Sequence, residues 1–198
     1  SPKAKNLLGL DEGAVVGSSS LRRAAQIKRL RPDIEVVNFR GNVQTRLKKL
    51  ESGIVDATLL AYAGLKRLGI EREVTSLIET SDMLPAVAQG AIGIEIKSGD
   101  DKARAAIASL NDGQTETCVA AERAFLTVLD GSCQTPIAGY AEFKNGIVIF
   151  NGMILKPDGS TSFSTRRQGS AKHAAELGCD AGTELKMRAG PDFLANLQ

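Results

Sequence analysis

The 198-residue chain has 42% hydrophobic and 24% charged residues, ordinary values for a folded protein with enough length to bury a core. The absence of tryptophan and an aromatic content of 4% argue against a stacking platform for bases or sugars, and a single histidine, His173, nearly excludes a histidine-based metal site or a Ser-His-Asp triad. The net charge of +2 hides an asymmetry: residues 1–72 carry 14 Lys and Arg against 7 Asp and Glu, and residues 73–198 carry 11 against 16, so two units are expected, the first suited to meet an anion.

In chain order, residues 14–17 (AVVG) read as a buried strand and the three serines after them as a cap. Apolar residues at helical spacing (Leu21, Ala24, Ala25, Ile27, Leu30) predict a helix over 21–30 that stops at Arg31-Pro32. A second strand is expected at 34–39, a helix at 43–50, a third strand at 56–61, and a helix through Leu68 closed by Gly69. This alternation with short connections is the pattern of an α/β unit on a parallel sheet. The pattern breaks around 81–89, and 91–96 (AIGIEI) reads as one isolated strand. Helices are predicted at 101–110 and 115–129, followed by a loop holding Gly131-Ser132-Cys133. Residues 137–143 and 147–155 form a hairpin through Asn145-Gly146, a pair that favours the positive φ of a type I′ turn. A strand near 162–166 and a helix from about Ala171 complete a small α+β unit.

The run Gly17-Ser18-Ser19-Ser20-Leu21-Arg22-Arg23 ends a strand and opens a helix, so N–H groups and hydroxyls converge at the positive end of a helix dipole. Arginines in a first turn oppose that dipole, which is explained by an external anion or, more plainly, by a solvated basic helix start. Arg40 lies where the second strand meets its helix, Arg46 one turn into that helix, and Arg67 beyond the third strand. The carboxyl ends of parallel strands share one edge, where ligands bind, so Arg22, Arg23 and Arg40 should gather there with Arg46 close by and Arg67 less securely placed. The arginine fork matches carboxylate or phosphate, so the cluster implies a ligand with several such groups.

The three cysteines, Cys118, Cys133 and Cys179, form no CxxC pair and imply no disulfide framework. Cys118 and Cys179 lie in helical patterns and read as buried cysteines. Cys133 sits among small residues before a proline, a loop composition in which a thiolate serves as nucleophile or attachment point. No apolar run approaches the roughly 20 residues that cross a bilayer, and the first residues lack a secretory pattern, so a cytoplasmic protein is expected.

Taken in order, GSSSLRR, the FRGNVQTRL run, the DATLLAYAGLKRLG run, LPAVAQGAIGIE and the GSCQTPI loop closely resemble the porphobilinogen deaminase family, over about residues 14–141. The resemblance implies a periplasmic-binding-protein-like α/β domain at 1–83, a segment at 84–108 that returns to a further domain, and a C-terminal α+β domain at 109–198. It implies a transferase that condenses four porphobilinogen molecules head to tail into hydroxymethylbilane with release of ammonia. Each unit carries an acetate and a propionate, and the resemblance assigns these carboxylates to Ser20, Arg22, Arg23, Arg40 and Arg46 on the cofactor side and to Arg46 and Arg67 on the substrate side. It makes Cys133 the thioether anchor of dipyrromethane, because loss of ammonia leaves an electrophilic methylene that a thiolate captures. No metal, nucleic acid or membrane is implied, and the full-length protein is expected to be a monomer.

Family members begin with roughly another hundred residues that hold the carboxylate assisting catalysis, so no catalytic residue is assigned here and this chain alone is expected not to turn over. The second reading is a cytoplasmic carboxylate-binding module without catalysis. A nucleic-acid binder fits less well, since the arginines sit at strand ends without interleaved aromatics.

Overall fold

Val16, at 0% exposure, marks the centre of the first unit. It belongs to β1 (Val15–Gly17), which pairs in parallel with β2 (Glu35–Val37) on one side and β3 (Ala57–Thr58) on the other in the computed structural model, which describes residues 1–131 and 135–195. Helix α1 (Leu21–Leu30) carries the chain from β1 to β2, and α2 (Val43–Glu51) carries it back across to β3. Leu10, Val16, Ile27, Ile34 and Met83 pack together as the core of this unit. Both helices start where the sequence places them, because Ser20 and Asn42 accept the N–H groups of Arg23 and Thr45. A short helix, α3 (Tyr62–Arg67), follows β3.

Two strands are shorter than expected. The 34–39 ladder stops at Val37, beyond which Ser19 Oγ donates to the Phe39 carbonyl at 2.7 Å. The 56–61 strand stops at Thr58 because the next carbonyl, of Leu59, accepts from Arg23 and Arg46 instead of a neighbouring strand. The isolated strand expected at 91–96 is not formed: these residues have no ladder partner among the described residues, and Ile92 and Ile94 stand 88% and 52% exposed. A strand needs a neighbour for its N–H and C=O groups, and apolar alternation alone does not supply one.

A short helix, α4 (Asp101–Ile107), precedes the second unit, whose first helix is α5 (Gly113–Val128), capped by Asp112 and starting two residues earlier than the pattern suggested. Strands β4 (Ile137–Lys144), β5 (Ile147–Leu155) and β6 (Ser162–Ser170) form an antiparallel meander, with Asn145 and Gly146 at φ 52° and 79° in the turn expected of that pair. Helix α6 (Ala174–Ala195) follows a 3₁₀ turn at Ala171–His173 and breaks at Gly190-Pro191, where proline ends the ladder. Phe125 of α5 meets Phe150 of β5 with ring centroids 4.9 Å apart, in a core shared with Ile154 and Leu185. A parallel sheet with helices followed by an antiparallel sheet with helices is thus the α/β plus α+β architecture expected.

Cys179 was expected to be buried and is exposed, on a face of α6 turned away from the apolar seam, whereas Cys118 is partly buried against the edge of that core. The seam itself is tight. A Cβ at Gly178 would sit 2.0 Å from the Ala121 carbonyl oxygen, so α5 and α6 approach backbone to backbone. The units meet through Ala25, Ala138, Met153 and Leu155, with Gly159 (φ 74°) against α1, where a Cβ would lie 2.5 Å from the Arg29 nitrogen. Glu184 ties α6 to β6, accepting from Thr165 Oγ1 at 2.5 Å, Arg188 at 2.8 Å and Arg167 at 2.7 Å.

Gly178→Ala is expected to lower stability by about 1–3 kcal/mol or more through overpacking, read as a lower urea midpoint, and Gly159→Ala to do so with added strain at positive φ. The Thr165 hydrogen bond, then the arginines, hold the Glu184 carboxyl down at about 2, below its ordinary 4.5. Its contribution is therefore present above the unfolded value and disappears as pH falls through the folded one. Glu184→Gln should flatten the loss of stability between about pH 5 and pH 2 relative to the parent, measured by urea unfolding at several pH values.

Candidate functional site

β1 lies at the centre of the sheet, the chain runs from it through α1 to β2 on one side and returns through α2 to β3 on the other, and the crevice between the ends of β1 and β3 is the topological switch point. The three serines after β1 are committed to building this edge. Ser18 N–H donates to the Val37 carbonyl at 2.9 Å, Ser18 Oγ accepts from Ser20 N–H at 3.3 Å, and Ser20 Oγ accepts from Arg23 N–H at 3.3 Å.

Three guanidinium groups converge there. Arg46 donates to Thr58 Oγ1 and to the Leu59 carbonyl, both at 2.9 Å, and Arg23 donates to the same carbonyl at 3.4 Å. Arg22 is 7% exposed and donates to the Leu84 carbonyl and, at 3.2 Å, to Gln89 Oε1. Arg46 also lies over the Phe39 ring at 5.6 Å, and its Nε is buried with no hydrogen-bond partner. Among the described residues no carboxylate forms an ion pair with any of the three. Burial pulls all three below the ordinary arginine range, Arg22 to about 10, and the charge of Arg23 lowers Arg22 and Arg46 further. All remain cationic at neutral pH, so the crevice holds like charges, one buried and two partly shielded from water, with backbone carbonyls as their main acceptors. An incoming carboxylate would meet fork-shaped donors and relieve that repulsion.

Beside the cluster lies a cavity of about 330 Å³, walled by Val16, Leu59, Leu65, Leu77 and Met83, with Arg22 and Arg23 also in its wall. Apolar space next to buried cations suits a ligand with a ring body and carboxylate arms.

The other expected residues are placed differently. Arg40 follows β2 at the same sheet edge but is exposed, and its carbonyl accepts from Lys49 Nζ at 3.1 Å. Arg67 is exposed in the last turn of α3 and does not join the buried group. Cys133 lies outside the described residues; on its C-terminal side, Ile137 N–H donates to the Thr135 carbonyl at 2.8 Å. Of the two explanations for Arg22, the solvated helix start does not hold, since its side chain is buried, and the external anion is not its sole partner, since its guanidinium donates to Leu84 and Gln89.

Sequence reasoning missed Gln26, Gln89 and Glu122. Gln26 is 1% exposed; its amide donates to the Leu84 carbonyl at 3.0 Å and accepts Leu84 N–H at 2.9 Å. Its i+4 spacing from Arg22 was the available signal. Glu122, 5% exposed, accepts Ala88 N–H at 2.6 Å and Ala141 N–H at 2.8 Å; burial pushes its carboxyl up and these two donors oppose the shift.

Two family models match the chain: the porphobilinogen deaminase dipyrromethane cofactor-binding domain over residues 1–105 and the porphobilinogen deaminase C-terminal domain over residues 116–187. The chain is 50% identical over 193 residues to porphobilinogen deaminase of Nitrobacter hamburgensis, covering 98% of this chain and 61% of that protein. It is 54% identical over 198 residues to the chloroplastic porphobilinogen deaminase of Oryza sativa, covering 98% and 55%. With the chloroplastic protein of Pisum sativum the identity is 54% over 194 residues, covering 96% and 53%. The chain thus spans a little over half the length of these relatives. No described helix is long and apolar enough to cross a membrane.

An arginine cluster lacking its counter-ion should respond to one. Citrate is expected to raise the melting temperature, by the equivalent of about 2.7 kcal/mol at a hundredfold excess over Kd. Arg46→Leu should remove most of this response, since it deletes a guanidinium the anion would bind, at a cost of about 1–3 kcal/mol to the citrate-free protein for the lost bonds to Thr58 and Leu59. Arg166→Leu, at an exposed arginine of β6, should leave the response intact.

Proposed function

The chain belongs to the porphobilinogen deaminase family, and from that membership we propose that it is the cofactor-holding part of a transferase that joins four porphobilinogen molecules into hydroxymethylbilane with release of ammonia. The observation that carries this reading is the group of three guanidiniums at the switch point of the sheet, Arg22 buried and Arg23 and Arg46 half-buried, none with a carboxylate partner among the described residues and one with an orphaned Nε. Porphobilinogen bears an acetate and a propionate, so a covalently held dipyrromethane brings four carboxylates to a site short of negative charge.

These residues fit that group. Arg22, Arg23 and Arg46 are proposed to take its carboxylates bidentately, with Arg40 adding an exposed cation at the same edge. Ser20 Oγ accepts from Arg23 N–H, which leaves its hydroxyl hydrogen for a carboxylate oxygen. Cys133 is proposed as the anchor: its thiolate forms a C–S bond to the methylene carbon from which ammonia departs, the C–N bonding pair leaving with nitrogen. When bound, the dipyrromethane supplies a nucleophilic pyrrole carbon to which further units are joined. Arg46 and Arg67 are proposed to meet the carboxylates of the incoming unit and of the growing chain. Holding the chain by its carboxylates converts each condensation into an effectively intramolecular encounter, the term that positioning contributes to rate.

The division into 1–83, 84–108 and 109–198 is part of the same proposal, supported by the exposed Ile92 and Ile94, which suit a segment completing a sheet elsewhere. So are a cytoplasmic setting and a monomeric state. A carboxylate-binding module without catalysis would share the arginines but would carry no adduct at Cys133.

Intact-mass spectrometry of the protein expressed from its complete gene decides between them. An adduct of two linked pyrrole units is expected, absent from Cys133→Ala together with bilane formation. An unmodified parent protein, or a Cys133→Ala variant with full activity, would overturn the reading.

A further inference from the structure

Residues 86–89 make a tight turn in which Gln89 N–H donates to the Ala86 carbonyl at 3.0 Å. Its third residue, Ala88, has φ 58°, a left-handed conformation for which turns ordinarily use glycine or asparagine. An alanine stays there only if its surroundings hold it. Two features do so. Glu122 accepts Ala88 N–H at 2.6 Å through one carboxylate oxygen and Ala141 N–H of the β4 edge at 2.8 Å through the other. One residue group earlier, the Pro85 carbonyl accepts Gly139 N–H of the same edge at 3.1 Å. The left-handed turn folds the Gln89 side chain back so that its Oε1 accepts both Ala86 N–H and the Arg22 guanidinium, each at 3.2 Å.

A continuous path of hydrogen bonds therefore runs from the β4 edge, through Glu122, Ala88 and Gln89, to a guanidinium of the arginine cluster. We infer that Glu122 is a positioning residue for the anion site: by holding Ala88 in its left-handed turn it fixes Gln89 and thereby Arg22, so that Arg22 is registered against β4. This inference rests on the proposed role of Arg22 as a carboxylate ligand. The chemistry of Glu122 suits the task, since an ionised carboxylate presents acceptors to both amides at once. A glutamine offers one acceptor and turns an NH₂ group toward the second amide, so Glu122→Gln keeps shape and volume and breaks one of the two bonds.

The test uses the protein expressed from its complete gene. Glu122→Gln is expected to raise KM for porphobilinogen about tenfold with kcat within about twofold, the size of effect from one lost hydrogen bond to a charged group. Amide hydrogen exchange at Ala88 should accelerate by a similar factor. Adding Ala88→Gly to Glu122→Gln should bring KM back to within about twofold of the parent, because glycine takes the left-handed turn unaided. A purely structural defect would not be corrected in this way. A raised KM that Ala88→Gly fails to restore overturns the inference, as does a Glu122→Gln protein with unchanged KM and unchanged Ala88 exchange. Should Glu122→Gln not fold, Ala88→Val serves instead: a β-branched residue resists positive φ, so a folded Ala88→Val enzyme with parental KM refutes the inference. Arg22→Leu is the control for the underlying reading. If it leaves KM and adduct formation unchanged, the carboxylate role of Arg22 fails; if it impairs them while Glu122→Gln does not, only the positioning role fails.

Discussion

Positive charge partly withdrawn from water, with no carboxylate paired to it among the described residues, is the constraint around which the first unit is arranged. Arg22, Arg23 and Arg46 could not crowd together at a half-buried edge unless something accepted from their N–H groups, and in this structure backbone carbonyls do much of that. The consequences reach the fold itself. β3 is two residues long because the carbonyl that would continue its ladder, that of Leu59, is given to two guanidiniums. The 84–89 segment lies where it does because Arg22 and Gln26 take the Leu84 peptide on both its faces. A sheet edge that could have been regular is irregular at the place where the charge is stored, which is how functional strain is commonly distributed.

The parts of the chain that could be read from sequence are those whose causes are local. Helix α1 was legible from end to end, because its serine cap, its apolar spacing and the proline after Arg31 all lie within a dozen residues. The 137–155 hairpin was legible for the same reason, through Asn145-Gly146. What failed depended on distant partners. The apolar alternation of 91–96 is a good strand pattern, yet no described strand pairs with it. Cys179 sits in a helical pattern that says nothing of which face meets α5, and the close approach at Gly178 turns that face elsewhere.

The candidate site divides along the same line. Placing arginines at strand ends is a topological argument: it groups Arg22, Arg23 and Arg40, keeps Arg46 close by and sets Arg67 apart, but it does not tell Arg40 from Arg22. Helix phase separates them. Arg22 and Arg46 lie on faces turned toward the sheet end, whereas Arg40 precedes its helix and Arg67 ends one, and both are exposed. Glu122 was invisible for a different reason. One acidic residue among the apolar positions of α5 looks like a solvated interruption, and only the fold shows that its two oxygens meet amides from residues 34 and 19 positions away.

The two units touch through a small patch around Ala25, Ala138, Met153 and Leu155, and an apolar contact of that kind resists separation while leaving rotation weakly determined. Direction comes from the hydrogen bonds on 84–89, which weaken steeply as their angles depart from linear. Arg22 takes part in both the cation cluster and this set of bonds. A carboxylate drawn to its guanidinium must therefore either join Leu84 and Gln89 as a further acceptor or displace them. In the first case an anion tightens the junction, and in the second it frees it, so the charge stored at the sheet edge and the relative placement of the two units are governed by the same few N–H groups.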